Sequence, residues 1–392
     1  MVQLPIDTAA PIVGMIAGEA SGDALGEAII AALRRRFPGL RCVGIGGPRM
    51  IGAGLESWHE QERLAVRGLV EVVKHIPELM RIRAALVRRL VSARPRVVIG
   101  IDSPDFTLGV ERRIKRRGIP TVHCVSPTIW AWRRGRIRGI RRAVSHMLTL
   151  FPFEAPLYRE AGIEVTCIGH PVADSLAAGP TQAEARDQLR IKPMERVLAI
   201  LPGSRQSEIE MMAPTFIETA KRLHAIDPEL RFLVPLATRP TRLLFEDMLY
   251  RQGANELPLT MLYGHSHDAM AAADVVLAAS GTATLEAALI GRPVVIAYKL
   301  APMTYRIART LVRTPFIGLP NILAGVALCP EFIQDDATSA NLAQATLNML
   351  NDKRTRAALS ERFKAVRDQL ALGAADRAAD VIGQYIERGA HH

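Results

Sequence analysis

Residues 12–36 read IVGMIAGEASGDALGEAIIAALRRR, and the class of fold follows from how this stretch is parsed. An apolar run at 12–17 meets a turn of small residues, then a segment at 21–36 with Ala, Leu and Ile on one face. A short apolar run bounded by glycine marks a buried strand, and the periodic segment marks an amphipathic helix. A strand feeding directly into a helix is the opening of a βαβ unit, whose parallel strands are covered on both faces.

The same rhythm continues outward. Strands are predicted at 41–46, 96–101 (RVVIGI), 121–125, 147–150 and 165–168, with a helix at 111–117. At 169–180 the composition changes to GHPVADSLAAGP, where two prolines and two glycines mark a hinge. The pattern then restarts with a strand at 196–201 (RVLAIL), a helix at 211–223 and a strand at 231–235. Strands at 274–278 and 293–298 flank a helix at 283–289, and 339–388 reads as helical almost throughout. The expected fold is α/β: two Rossmann-like domains facing a cleft, with a C-terminal helical tail. The expected divisions are 1–175, 176–365 and a tail at 366–392 that packs back on the N-terminal domain.

Composition narrows the function. The chain of 392 residues is long enough for two cores, and no run of about 18 apolar residues predicts a membrane span. The first residues lack a basic n-region and carry Asp7, unlike a secretory signal. Cys42, Cys124, Cys167 and Cys329 lack metal-site spacing and read as buried free thiols in a reducing cytosol. His391 and His392 are set aside. The net charge of +11 is concentrated: residues 81–142 hold 17 Lys/Arg against Asp102, Asp105 and Glu111, and the remainder is slightly acidic. Such a patch attracts a phosphorylated ligand, acidic lipid or nucleic acid, or is a solvated surface.

Ligands of open α/β sheets sit beyond the carboxyl ends of strands. The turn GEASGD at 18–23 lacks a P-loop Lys-Ser/Thr, and Arg49 stands where GIGGPR would need its third glycine, which disfavours a nicotinamide enzyme. After 196–201 comes PGSR: Ser204 lies in the turn, and Arg205 either forks onto a phosphate or is a surface arginine. After 274–278 comes SGTATLE. Ser280, Gly281, Thr282, Ala283 and Thr284 open a helix whose free amides suit a diphosphate. Glu286, one turn in, either accepts from ribose hydroxyls or favours the helix dipole. After 96–101 come Asp102 and Asp105; a carboxylate there acts as a general base or caps a turn. Trp130 and Trp132 beside arginines suit a sugar platform, a membrane interface, a nucleic-acid surface or core packing. In 66–80, Leu69, Val72, Val73, Ile76 and Met80 follow helical spacing, and Pro77 is expected to kink or restart that helix. The apolar face beside the arginines either grips an anionic leaflet or covers the sheet.

Taken together, the motifs resemble the lipid-A-disaccharide synthase family: AGEASGD (17–23), GPRM (47–50), GIDSPDF (100–106), VSPTIWAWR (125–133), LFPFE (150–154), GHPVAD (169–174), LPGSR (201–205), SGTATLE (280–286) and LPNILAG (319–325). They keep the family's order. The resemblance implies a metal-independent, inverting hexosyltransferase of the GT-B type. Its substrates would be UDP-2,3-diacylglucosamine and 2,3-diacylglucosamine 1-phosphate (lipid X), and its products the β-1,6-linked lipid A disaccharide 1-phosphate and UDP. No cofactor is implied, since the UDP-sugar is a substrate. By position, Asp102 matches the family's general base. Glu19, Arg205, Glu286 and Asn321 match residues important for activity or UDP binding, and 280–284 match the diphosphate cradle. The resemblance further implies peripheral association with the anionic cytoplasmic face of the inner membrane, and in some members a homodimer.

Two rival readings remain at this stage. One is another UDP-sugar glycosyltransferase or a UDP-N-acetylglucosamine 2-epimerase-like enzyme. The other is a nucleic-acid-binding protein using the 81–142 patch, which would have no need of two βα halves with diphosphate-type turns.

Overall fold

The structure is a computed structural model that describes residues 10–64, 69–130, 134–177, 179–311 and 314–388. The chain divides into two compact units, one of residues 1–171 with 370–392 and the other of residues 172–369.

Among its described residues the first unit holds seven strands: β1 (Ile12–Ala17), β2 (Arg41–Ile45), β3 (Leu55–Ser57), β4 (Val97–Ile101), β5 (Thr121–Cys124), β6 (His146–Thr149) and β7 (Glu164–Cys167). They pair in the order β3-β2-β1-β4-β5-β6-β7, every pair parallel. β1 and β4 are buried over almost their whole length, so they read as continuous apolar runs. Alternation along β1 sends Met15 and Ile16 to opposite faces. Met15 joins Leu25, Ile29 and Leu33 of the helix Ala20–Arg36, together with Ala378, Ile382 and Ile386 of the helix Ala374–Arg388. Ile16 joins Leu86 and Leu90 of the helix Leu69–Ala93, and Val110 and Ile114 of the helix Pro104–Lys115.

The second unit repeats the plan, with six strands among its described residues: β8 (Val197–Leu201), β9 (Arg231–Leu236), β10 (Leu259–Tyr263), β11 (Val275–Ala279), β12 (Val294–Tyr298) and β13 (Glu331–Ile333). The order is β10-β9-β8-β11-β12-β13, again parallel. Ile200 and Leu198 pack with Phe216 and Leu223 on one face; Val197 and Ala199 pack with Met270, Ala288 and Phe363 on the other.

Several boundaries differ from the sequence reading. β3, β10 and β13 were not anticipated; all three are edge strands, and β10 and β13 are at most half-buried, so none carries the apolar run of a central strand. The helix expected at 111–117 starts at Pro104, directly after the Asp102–Ser103 turn, with proline in its first turn where no amide acceptor exists. The helix expected at 211–223 runs Gln206–Ile226, because a polar first turn hides its start from periodicity. Pro77 does not restart a helix: Leu69–Ala93 continues through it. The four cysteines are unpaired, with Cys42, Cys124 and Cys329 buried. Burial pushes the Cys42 thiol up to about 11 and Cys124 and Cys329 to about 12, which leaves them inert as nucleophiles.

Candidate functional site

In both sheets the strand order reverses at one place, between β1 and β4 in the first unit and between β8 and β11 in the second. Crossover helices leave to opposite faces there, so the strand ends open a crevice. The residues singled out from sequence gather at these two places.

In the first unit, β1 pairs Ala17 with Ile101 of β4, which sets the turns at 18–19 and 102–103 side by side. Asp102 and Ser103 are both left-handed, with φ of 54° and 46°. Each costs about 1–2 kcal/mol for a non-glycine residue, so the surroundings must hold the turn. The approach is close: a Cβ on Gly18 would lie 2.3 Å from Ser103 Oγ. The Asp102 carboxylate accepts from the Ser103 amide at 2.8 Å and from Ser21 Oγ at 3.3 Å, and it is half-buried. Glu19 heads the helix Ala20–Arg36; its carbonyl accepts from Gln61 Nε2 at 2.8 Å, and Gln61 also reaches the Ala17 carbonyl. Gln61 was missed in the sequence because its partners lie more than 40 positions away.

The AGEASGD and GPRM motifs explain each other. Buried Asp23 accepts from the amides of Gly47 (2.8 Å), Arg49 (3.0 Å) and Met50 (3.1 Å), satisfying the first turn of the helix Pro48–Gly52. Gly26 makes room for Met50, since a Cβ there would fall 2.5 Å from its sulfur. These residues build the turn that opens the helix Ala20–Arg36.

Beyond β5 and β6 stands an aromatic row. Trp130 meets Phe153 edge-on at 5.0 Å, Phe153 stacks on Phe151 at 5.4 Å, and Phe151 stacks on His170 at 5.6 Å. Glu154 lies beneath, accepting from the Phe151 amide, and burial pushes its carboxyl up to about 7. Asp105 is exposed and pairs with Arg136, while its carbonyl accepts from Arg83. Trp132 lies outside the described residues. Leu69, Val72, Val73 and Ile76 sit on the helix Leu69–Ala93, but their side chains also lie outside what is described; Met80 on the same helix is 46% exposed.

In the second unit, a cleft of about 520 Å³ opens between the ends of β8 and β11. Ser204, Arg205, Ser280, Gly281, Thr282, Ala283 and Glu286 all line it. The amides of Thr282 and Ala283 open the helix Thr282–Ile290 and have no acceptor within it. Arg205 is exposed and pairs with Glu208 at 3.0 Å, while Glu208 also takes the amides of Ser204 (2.9 Å) and Arg205 (3.2 Å). A carboxylate thus occupies the anion-binding end of this turn. Glu286 accepts from His267 Nε2 at 3.1 Å, and this contact raises the His267 pKa above its ordinary value against a smaller lowering by desolvation. His267, Glu208 and Tyr298 were not anticipated, although all but His267 line the cleft.

Two predicted residues do not line it. Thr284 is fully buried and donates its hydroxyl to the Gly281 carbonyl, holding the turn from behind. Asn321 is fully buried with its whole amide engaged: it donates to the Cys329 carbonyl and to Glu331, and accepts from the Leu328 and Cys329 amides. Glu331 in turn accepts from the amides of Ile317 and Gly318. Among the described residues, no group of three or more His, Cys, Asp or Glu is arranged to hold a metal ion.

A family model described as lipid-A-disaccharide synthetase matches residues 13–382. The chain is 48% identical over 377 residues to a lipid-A-disaccharide synthase of Methylobacillus flagellatus, covering 96% of this chain and all of the relative. It is 50% identical over 376 residues to those of Aromatoleum aromaticum (96% of each chain) and Pseudomonas aeruginosa (96% and 98%). Among solved structures, it resembles a UDP co-structure of Staphylococcus aureus MnaA, with TM-score 0.65, 12% identity and 96% and 97% coverage. UDP-GlcNAc 2-epimerase of Neisseria meningitidis bound to UDP-GlcNAc gives 0.63, 12% identity and 96% and 99% coverage. Acinetobacter baumannii MurG gives 0.59 at 15% identity, covering 95% and 99%. At such identities these likenesses speak for the GT-B-like fold alone.

Proposed function

The chain belongs to the lipid-A-disaccharide synthase family and is a glycosyltransferase of lipid A biosynthesis acting on lipid-linked glucosamine substrates, and on that premise we propose that its two switch-point turns divide one inverting displacement between them. The observation that carries the proposal is the placement of the motif residues at the reversal of strand order in each sheet. The second unit is the donor side. UDP-2,3-diacylglucosamine sets its diphosphate on the amides of Thr282 and Ala283, with Ser204, Ser280, Gly281 and the Arg205 guanidinium around it. Glu286 takes the ribose hydroxyls. Thr284 and Asn321 act from behind, by fixing the turns.

The first unit is the acceptor side. Asp102 takes the proton of the lipid X 6-hydroxyl as that oxygen attacks the anomeric carbon. The bond from that carbon to the diphosphate breaks, its electron pair leaves with UDP, and the amides and Arg205 stabilise the charge. A single displacement inverts the configuration. The carboxylate's contacts support this role: the Ser103 amide holds Oδ1 at 2.8 Å, and Oδ2 takes only the longer 3.3 Å bond from the Ser21 hydroxyl, which an acceptor hydroxyl would displace. Glu19, at the neighbouring turn, orients the acceptor.

The lipid substrates draw the enzyme to the anionic inner leaflet, with the Leu69–Met80 face among acyl chains and the 81–142 arginines over headgroups. Exposed Met80 supports this contact, and no helix among the described residues is long and apolar enough to cross a membrane. The test is disaccharide formation from UDP-diacylglucosamine and lipid X. Asp102→Asn is expected to fold and to lose about 100-fold or more in turnover. Near-native turnover in that variant would remove Asp102 from the role.

A further inference from the structure

Two consecutive left-handed residues such as Asp102 and Ser103 persist only where their surroundings over-determine them. Three buried polar side chains stand behind this turn. Thr107, with no solvent exposure, places its hydroxyl 2.9 Å from the Asp102 carbonyl and 3.0 Å from that of Ser103. One turn along the same helix is Glu111, also fully buried, whose two carboxylate oxygens lie 3.0 and 3.1 Å from His123 Nδ1. His123 belongs to β5 and pairs in register with Gly100 of β4, two residues before Asp102. The helix can lie this close only because residue 100 is glycine. A Cβ there would sit 2.2 Å from Glu111 Oε1 and 3.0 Å from Thr107 Cβ.

The pair is a poor device for stability. Both partners are removed from water, and His123 Nε2 is buried without a hydrogen-bond partner among the described residues. Apolar replacement of buried charged pairs is commonly neutral or stabilising. Its location supplies a different reason for it. Glu111 ties the Pro104–Lys115 helix to β5, and Thr107 on the same face of that helix grips the backbone carbonyl of Asp102.

We propose that Thr107, Glu111 and His123 form a positioning clamp that holds the strained Asp102–Ser103 turn, and with it the carboxylate, at the angle proton transfer requires. The clamp acts through Asp102, so the inference rests on Asp102 being the base. A misplacement of about 1 Å costs up to 100-fold in rate. Thr107→Val removes the hydroxyl at constant shape and should lower kcat about ten- to a hundred-fold, leaving UDP affinity unchanged. Glu111→Gln should do the same, and Thr107→Ser should restore most of the turnover. The deciding arm is Thr107→Val in an Asp102→Asn background, where no further loss is expected because the base is already gone.

The measurement is steady-state turnover of the full chain with UDP-diacylglucosamine and lipid X, beside UDP calorimetry and thermal melts. Should Glu111→Gln fail to fold, the Thr107 variants carry the test. Wild-type kcat in Thr107→Val beside an inactive Asp102→Asn overturns the clamp alone. A full multiplicative loss in the double variant also overturns it, since that marks a general structural effect. Wild-type turnover in Asp102→Asn overturns the base assignment itself.

Discussion

At Asp102 one carboxylate oxygen is fixed by the Ser103 amide and the other lies within reach of Ser21, so the group is oriented as well as present. Orientation is also what sequence could not supply. Asp102, Arg205 and Glu286 were legible because each follows a strand whose apolar run is unmistakable, and strand ends are where α/β sheets bind ligands. Thr284 and Asn321 carry equally clear motif signals, yet both turn inward, and no spacing rule distinguishes a side chain that touches a ligand from one that braces the turn. His267 was invisible for another reason: it follows β10, an edge strand that periodicity missed, and its partner Glu286 is 19 positions away. That pair has a pH signature. Its hydrogen bond to Glu286 raises the His267 pKa above the ordinary 6.5, so its stabilisation is complete below that value and disappears as pH rises through the raised one. His267 is 42% exposed, so solvent screening limits the effect to about 1 kcal/mol or less. Thermal melts of His267→Gln against the parent should therefore show their largest gap near pH 6 and convergence at alkaline pH. A gap that widens with pH would contradict the pairing.

Elements were readable in proportion to their burial. The central strands β1, β4, β8 and β11 are almost wholly buried and declare themselves as runs without a polar residue, mostly Val, Ile, Leu and Ala with Gly14, Met15 and Gly100 among them. β3, β10 and β13 lie at sheet edges, where one side faces no neighbour and polar residues are admitted. The helix Ala374–Arg388 shows how a distant segment enters a core. Its Ala378, Ile382 and Ile386 pack with Ile29, Ile30 and Leu33, and Asp376 and Asp380 pair with Arg35 and Arg36 at the surface. Those exposed ion pairs contribute little, whereas the apolar contacts carry the docking. Ile382 has no solvent exposure, so Ile382→Ala should destabilise the first unit by about 2–5 kcal/mol, read by denaturant unfolding. Asp376→Asn should change stability by under about 1 kcal/mol. Equal losses in the two variants would show that charge and not packing holds this helix.

The whole molecule repeats one solution. Both units are parallel sheets with the same order about their first strand, and each presents motif residues at its reversal point: helix-start amides in the second unit, an oriented carboxylate in the first. Charge follows the division, with the arginine-rich 81–142 stretch lying entirely in the unit assigned to the phosphorylated acceptor. The repeated plan was already visible in the sequence as two βα halves around a Pro/Gly break, because helix–strand alternation is a property of long windows. The most direct test is calorimetric titration of UDP into the parent, Glu286→Ala and Asp102→Asn proteins. The division of labour predicts the parent's affinity for Asp102→Asn and at least about tenfold weaker binding for Glu286→Ala, a loss of roughly 1.4 kcal/mol. Unchanged affinity in Glu286→Ala, or lost affinity in Asp102→Asn, would contradict it.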